Sequence, residues 1–206
     1  MTLLSGLTAL ALTLNGAGLD RSYRSPDGQL TATIISKKQT KPYGIDASRI
    51  EIRSRSGRLL AERDHSIFPN QGLTVAKAGW TRDSRFFAYV TEESGGHQPW
   101  HHPSFFYSRR RDRFYSLERA LYALDGGNGA VTGWMELQAP CTLLTSARFF
   151  GKSRPGLHVS SAESGDFNDR AIAIDLRWLD RQLTSAALST DARDRELLRR
   201  ERMAER

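Results

Sequence analysis

One cysteine in 206 residues, Cys141, leaves the chain without an intrachain disulfide and without any CxxC metal or redox motif. Beside Pro140 in an apolar setting, it reads as a small buried hydrophobe rather than a nucleophile. The glycine patterns that cradle nucleotides, GxGxxG and the P-loop GxxxxGK followed by Ser or Thr, are also missing. Gly126-Gly127-Asn128-Gly129 reads as a turn. The nearest look-alike of a nucleophile elbow, Ser161-Ala162-Glu163-Ser164-Gly165, lacks the first glycine, and no histidine or acid stands in an evident triad with it. These absences point away from nucleotide chemistry and from acyl transfer.

Long apolar runs are scarce as well. Leu3 to Leu14 is uncharged and apolar, then Asn15-Gly16-Ala17-Gly18 supplies small residues, a pattern like the h-region and cleavage region of a secretory signal peptide. Bilayer spanning takes about 20 apolar residues, so this run anchors poorly, and no positive residue precedes Arg21. Residues 1–19 are therefore expected to be a signal peptide or an apolar N-terminal segment. The expected location is periplasmic or secreted, with cytoplasmic as the alternative and without stable membrane insertion.

What is present is the composition of a soluble globular protein: 39% hydrophobic and 26% charged residues. The net charge is +7. The excess gathers in Arg109 to Arg113 and in the tail from Arg193 onward, and neither stretch interleaves aromatic stacking residues. Both read as solvated surface, the first as the charged tip of a hairpin whose arginines alternate between faces, and no nucleic-acid partner is expected.

Two stretches repeat. YRSPDGQLTATI (Tyr23 to Ile34) and GWTRDSRFFAYV (Gly79 to Val90) each run from an aromatic residue through a polar turn at Asp27 or Asp83 into an alternating strand. Pro26 pre-sets φ, the aspartate can accept from the amides beyond it, and Gly28 tolerates a positive φ. After the turns, Leu30, Ala32 and Ile34, and then Phe86, Ala88 and Val90, have the spacing of half-buried strands. A further pair of strands follows each unit: RIEIRS and RLLAER joined at Ser56-Gly57, and SFFYSR and RFYSLE joined around Arg111-Asp112. A third unit is expected between Val131 and Leu179, with a turn at Gly151-Lys152-Ser153 and DRAIAIDLRWL as a strand.

Ser25-Pro26-Asp27-Gly28-Gln29-Leu30-Thr31-Ala32 resembles the SPDGxxxA signature of TolB-type β-propeller repeats, found also in propeller domains of prolyl oligopeptidase relatives. Trp80-Thr81-Arg82-Asp83-Ser84-Arg85-Phe86-Phe87-Ala88-Tyr89 resembles a second copy, with Arg82 in place of Pro and Ser84 in place of Gly. The resemblance covers about half the chain and implies antiparallel blades, not a ligand. Propellers have 4 to 8 blades, and this chain has material for two or three. The expected fold is thus all-β, propeller-like blades or stacked antiparallel sheets over residues 20–180, with a charged C-terminal α-helix over 181–206 that starts near Ser189-Thr190-Asp191. Open sheet edges or that helix would meet a protein partner or a second copy.

The remaining candidate chemistry lies in SGGHQPWHHPSFF. His97 and His101 are four apart, but Gly95-Gly96, Pro99 and Pro103 keep the segment from being a helix, and no ligand signature for a metal surrounds it, although His65 or Asp64 could complete a set. The residues read as a loop on a rigid β scaffold, where His97, Trp100, His101 and His102 would offer a flat apolar face with polar edges to a ligand. No cofactor is expected. The function that follows is a non-catalytic, exported binding or interaction protein. The alternative is a hydrolase-associated or ligand-binding protein whose site is the His97–His102 loop.

Overall fold

The computed structural model describes residues 20–37, 47–68, 71–93, 102–124, 130–149, 158–159 and 170–183. The N-terminal segment, His97, Trp100 and His101, the Gly151-Lys152-Ser153 turn and the chain beyond Leu183 lie outside the described residues.

Three antiparallel sheets follow one another along the chain. The first takes β1 (Arg21–Arg24), β2 (Leu30–Lys37), β3 (Ala47–Ser54) and β4 (Leu59–Asp64) in sequential order. The second adds a short β5 (Ser66–Phe68) to the meander β6 (Gln71–Trp80), β7 (Phe86–Glu93), β8 (Ser104–Ser108) and β9 (Arg113–Ser116). Helix α1 (Leu117–Leu124) then leads to the third, which orders β10 (Ala130–Gln138) and β11 (Thr142–Phe149) before β13 (Arg170–Asp175) and β12 (His158–Val159). Helix α2 (Leu176–Gln182) closes the described chain. The expected all-β architecture of blade-like sheets with a C-terminal helix is what the structure shows.

The sheets stack face to face, and hydrophobic patterning decides which faces meet. On β2, Leu30, Ala32 and Ile34 are buried while Thr31 and Thr33 are not, so the sheet buries one face only. That face packs with Ile50 and Ile52 against Phe87, Tyr89, Phe105, Tyr107 and Phe114 of the second sheet. The second sheet's other face carries Phe86, Ala88, Val90, Phe106 and Tyr115, and packs on Met135, Leu143, Ile172 and Ile174 of the third. Every residue from Phe86 to Thr91 is buried. The expected half-buried alternation in this second copy is therefore corrected: the strand is sandwiched, which is why FFAYV is nearly continuous apolar sequence.

Two boundaries differ from expectation for one reason. RFYSLE is strand only through Ser116, because Leu117 opens α1, which buries Leu117, Ala120 and Leu121 against the second core. DRAIAIDLRWL is strand only through Asp175. The Asp175 carboxylate accepts from the amides of Arg177 (2.8 Å) and Trp178 (3.3 Å), an N-cap that satisfies two orphan donors and turns the chain into α2. Helix α2 ends at Gln182, and the charged helix expected over 181–206 lies, apart from its first three residues, outside the described residues.

The far face of the first sheet is hydrophilic. Glu51 is held between Arg49 (2.8 Å) and Arg53 (2.7 Å), with Thr31 and Thr33 on the neighbouring strand and Glu62 opposite Glu51. A face of this composition needs no further sheet to cover it, so the stack ends there without an apolar penalty.

Candidate functional site

The site grows from the repeated turns. In the first, the Ser25 amide donates to the Leu30 carbonyl (2.9 Å), the Leu30 amide to Ser25 Oγ (2.9 Å), and Ser25 Oγ to Asp27 Oδ1 (2.7 Å). In the second, the Thr81 amide donates to the Phe86 carbonyl (2.8 Å), the Phe86 amide to Thr81 Oγ1 (3.1 Å), and Thr81 Oγ1 to Asp83 Oδ1 (2.7 Å). The two copies share one hydrogen-bond pattern. The equivalent fourth residues, Gly28 and Ser84, have φ of 69° and 59°. Glycine enters this left-handed region freely, whereas serine pays for it. The departure from the signature at Ser84 has a local use: its Oγ accepts the Asp27 amide at 3.0 Å and so joins the first turn to the second. Trp80 Nε1 adds a bond to the Tyr23 carbonyl (2.8 Å), and the Asp83 amide points on to the Pro140 carbonyl of the third sheet (3.4 Å). The turns of all three sheets are consequently aligned at one end of the stack.

The β8–β9 hairpin tip reaches over this end. Tyr107 donates to Asp112 Oδ1 at 2.6 Å and Asp112 takes φ of 48°, which fixes the tip. Arg109, Arg110 and Arg111 occupy the turn rather than the strands, so alternation does not separate them. Arg109 binds Asp27 of the first sheet. Arg110 Nε and Arg111 Nε bind Asp180 Oδ2 and Oδ1 of α2 at 2.7 and 3.1 Å. Both guanidiniums also donate to the Asp180 carbonyl, at 3.2 and 2.9 Å, and Arg111 reaches the Leu183 carbonyl at 3.3 Å. The expected solvated arginine tip is thus corrected to a clamp between the first turn, the second sheet and α2.

Under the clamp lies a cavity of about 570 Å³. Asp83, Arg85 and Phe86 line it from the second turn. Ser108, Arg109 and Arg110 contribute from the hairpin, and Arg177, Asp180 and Arg181 from α2. Its volume is within the range of small-ligand sites, roughly 300–1,000 Å³. Two carboxylates that pair with its arginines, Asp27 and Asp175, are held ionised at neutral pH. Burial alone would raise the Asp27 pKa, but the bonds from Arg109, Ser25 and the Gln29 amide outweigh it and hold the group at about 2. Asp175 is also held below its ordinary value, its burial outweighed by the Arg177 amide, the Cys141 thiol and the Trp178 amide. Cys141 itself is buried, and burial followed by the Asp175 bond pushes its thiol up, so it stays protonated.

Two residues that line the cavity each carry a polar atom that is closed off from solvent and has no hydrogen-bond partner among the described residues: Ser108 Oγ, and Asp83 Oδ2, which lies 3.8 Å from Arg85 Nε. Polar groups left this way cost about 1–3 kcal/mol each. The guanidiniums and the Asp83 carboxylate that line the cavity together make a surface able to hold a small oxyanion and one hydrogen-bond donor of the same ligand.

Of the loop residues expected to bind ligand, His102 is described; it is half-buried ahead of β8 and does not line the cavity. The two residues that could have completed a metal set are engaged elsewhere. His65 Nε2 is bonded to Tyr89 Oη at 2.9 Å inside the first core, and Asp64 pairs with Lys37. The residues that sequence reasoning missed are Arg85, Ser108, Arg177, Asp180 and Arg181. A signal existed for Asp180: with Leu176, Leu179 and Leu183 it follows the spacing of one helical face, so an acid stood in an apolar stripe and required a cation. Comparison with protein-family models and with curated proteins finds no match to this sequence.

Proposed function

We infer that the chain is a non-catalytic binding protein of TolB-like propeller architecture, and that its ligand sits in the cavity between the second turn, the arginine hairpin and α2. The observation that carries this reading is the convergence of side chains from three separate segments on one cavity of about 570 Å³. Support for the propeller type comes from the repeated SPDG-like turns and the meander order of the first two sheets. A non-catalytic role fits a site made of arginines and ion-paired aspartates, with the nearest thiol buried and protonated. Export rests on the Leu3–Leu14 run, and a protein partner would meet the chain at exposed sheet edges or at the C-terminal segment.

The reading is tested by thermal unfolding of the purified chain in the presence of a panel of small anions, neutral sugars and amino acids. A cavity ligand at 100 times its Kd adds about 2.7 kcal/mol, which for a chain of this size raises Tm by several degrees. A panel in which no compound moves Tm, or one in which the active compound is consumed, contradicts it.

A further inference from the structure

We propose that the cavity's ligand is a small phosphate monoester bearing a hydroxyl group, such as a sugar phosphate. This rests on the binding reading above and sharpens it to a ligand class. Charge points to this class. Among the described residues, six guanidiniums line or border the cavity (Arg85, Arg109, Arg110, Arg111, Arg177 and Arg181), and four carboxylates answer them (Asp27, Asp83, Asp175 and Asp180). Two positive charges are left over. A phosphate monoester carries about −1.5 to −2 at pH 7, whereas a carboxylate carries one charge, so the surplus matches the dianion.

The guanidiniums differ in how far they are already engaged. Arg110 and Arg111 are spent on Asp180, and Arg109 on Asp27. Among the described residues, the ion pairs of Arg85 and Arg177 are the long contacts to Asp83 (3.8 Å) and Asp175 (3.6 Å), and Arg181 has none. These three come from both sides of the cavity, the turn and the helix, and planar guanidinium forks suit the oxygens of a phosphate. A hydroxyl on the organic part meets an acceptor in the carboxylate of Asp83, which lines the cavity with its side chain 20% exposed. The volume accommodates a small molecule.

The test is titration calorimetry on the full chain with glucose 6-phosphate, inorganic phosphate, gluconate and glucose, in about 150 mM salt so that loose surface binding is screened. The expected result is saturable binding of glucose 6-phosphate, competition by inorganic phosphate and no binding of glucose. The double substitution Arg85→Gln with Arg181→Gln, at two exposed side chains, is expected to weaken that binding at least tenfold with Tm of the free protein unchanged, and Arg181→Lys to restore part of it. Absence of saturable binding of either phosphate up to about 10 mM, a Kd that corresponds to under 3 kcal/mol, overturns the proposal, as does binding that the double substitution leaves intact. If gluconate binds as tightly as glucose 6-phosphate and the double substitution weakens both, the dianion class falls while the cavity remains a binding site. If the thermal panel also stays silent, the binding reading falls with it.

Discussion

Replacing Asp180 with alanine is expected to destabilise the protein by about 3 kcal/mol, the low end for leaving a buried ionic network without its partner. The carboxylate is 3% exposed and takes the Nε–H of both Arg110 and Arg111. Arg110 can regain water once released, since its side chain is 61% exposed, while Arg111, at 25%, is left with much of its desolvation uncompensated. The loss also acts on α2. Its inward face, Leu176, Leu179 and Leu183, covers the third sheet's core, and the arginines satisfy the Asp180 and Leu183 carbonyls at its C-terminal end. Urea unfolding followed by Trp fluorescence checks the number. Asp180→Asn should lose less, because the amide oxygen still accepts one guanidinium bond. A loss under about 0.5 kcal/mol for Asp180→Ala, the scale of an exposed ion pair, would show that the hairpin does not clamp the helix.

The second large effect is in pH. His65 is buried between the first two sheets, edge-on to Tyr89 and 4.7 Å from the Phe105 ring, with Arg63 and Asp64 beside it. Burial first, and the Arg63 charge second, hold its pKa down at about 3, from an ordinary 6.5. The folded chain therefore keeps His65 neutral in a window where the unfolded chain protonates it. Stability from this site is complete above pH 6.5 and declines as pH falls toward 3, by about 1.4 kcal/mol per unit. Between pH 6.5 and 4.5 the folded protein should lose about 2.5 kcal/mol through this one group. His65→Gln, which can still bond Tyr89 Oη, should remove that slope from the unfolding free energy measured across the interval. Parallel curves for the two proteins would mean that the imidazole titrates alike folded and unfolded.

The parts of this molecule that could be read from its sequence are those set by local rules. The SPDG turn announces itself because Pro26, Asp27 and Gly28 each answer a separate backbone demand, and Leu30, Ala32 and Ile34 then alternate on a sheet with one buried face. The second copy is recognisable in outline, but the signature gives no role to Ser84, whose Oγ is the acceptor that ties Asp27 to the next sheet. The helices α1 and α2 were read as strand ends because each is short and its apolar spacing overlaps that of the strand before it.

The cavity was hidden for a different reason. Arg85, Arg110 and Asp180 are far apart in sequence, and only the stacking of the sheets brings them together. Three consecutive arginines in a turn carry no mark that separates solvated charge from internal ion pairs. The partner carried one: Asp180 stands in the leucine stripe of α2, and an acid buried there needs a cation. The histidine loop drew attention by composition, which says nothing about convergence in space.

The central claim is that small anions are held beneath the arginine hairpin and not on the histidine loop. Amide hydrogen exchange of the full chain with and without saturating glucose 6-phosphate tests it most directly, since opening of a segment slows when a ligand holds it. The expected result is added protection in residues 82–86, 108–111 and 176–183 and none in 94–102. Protection confined to 94–102, with the hairpin and α2 unchanged, would contradict it and move the site to His97, Trp100, His101 and His102.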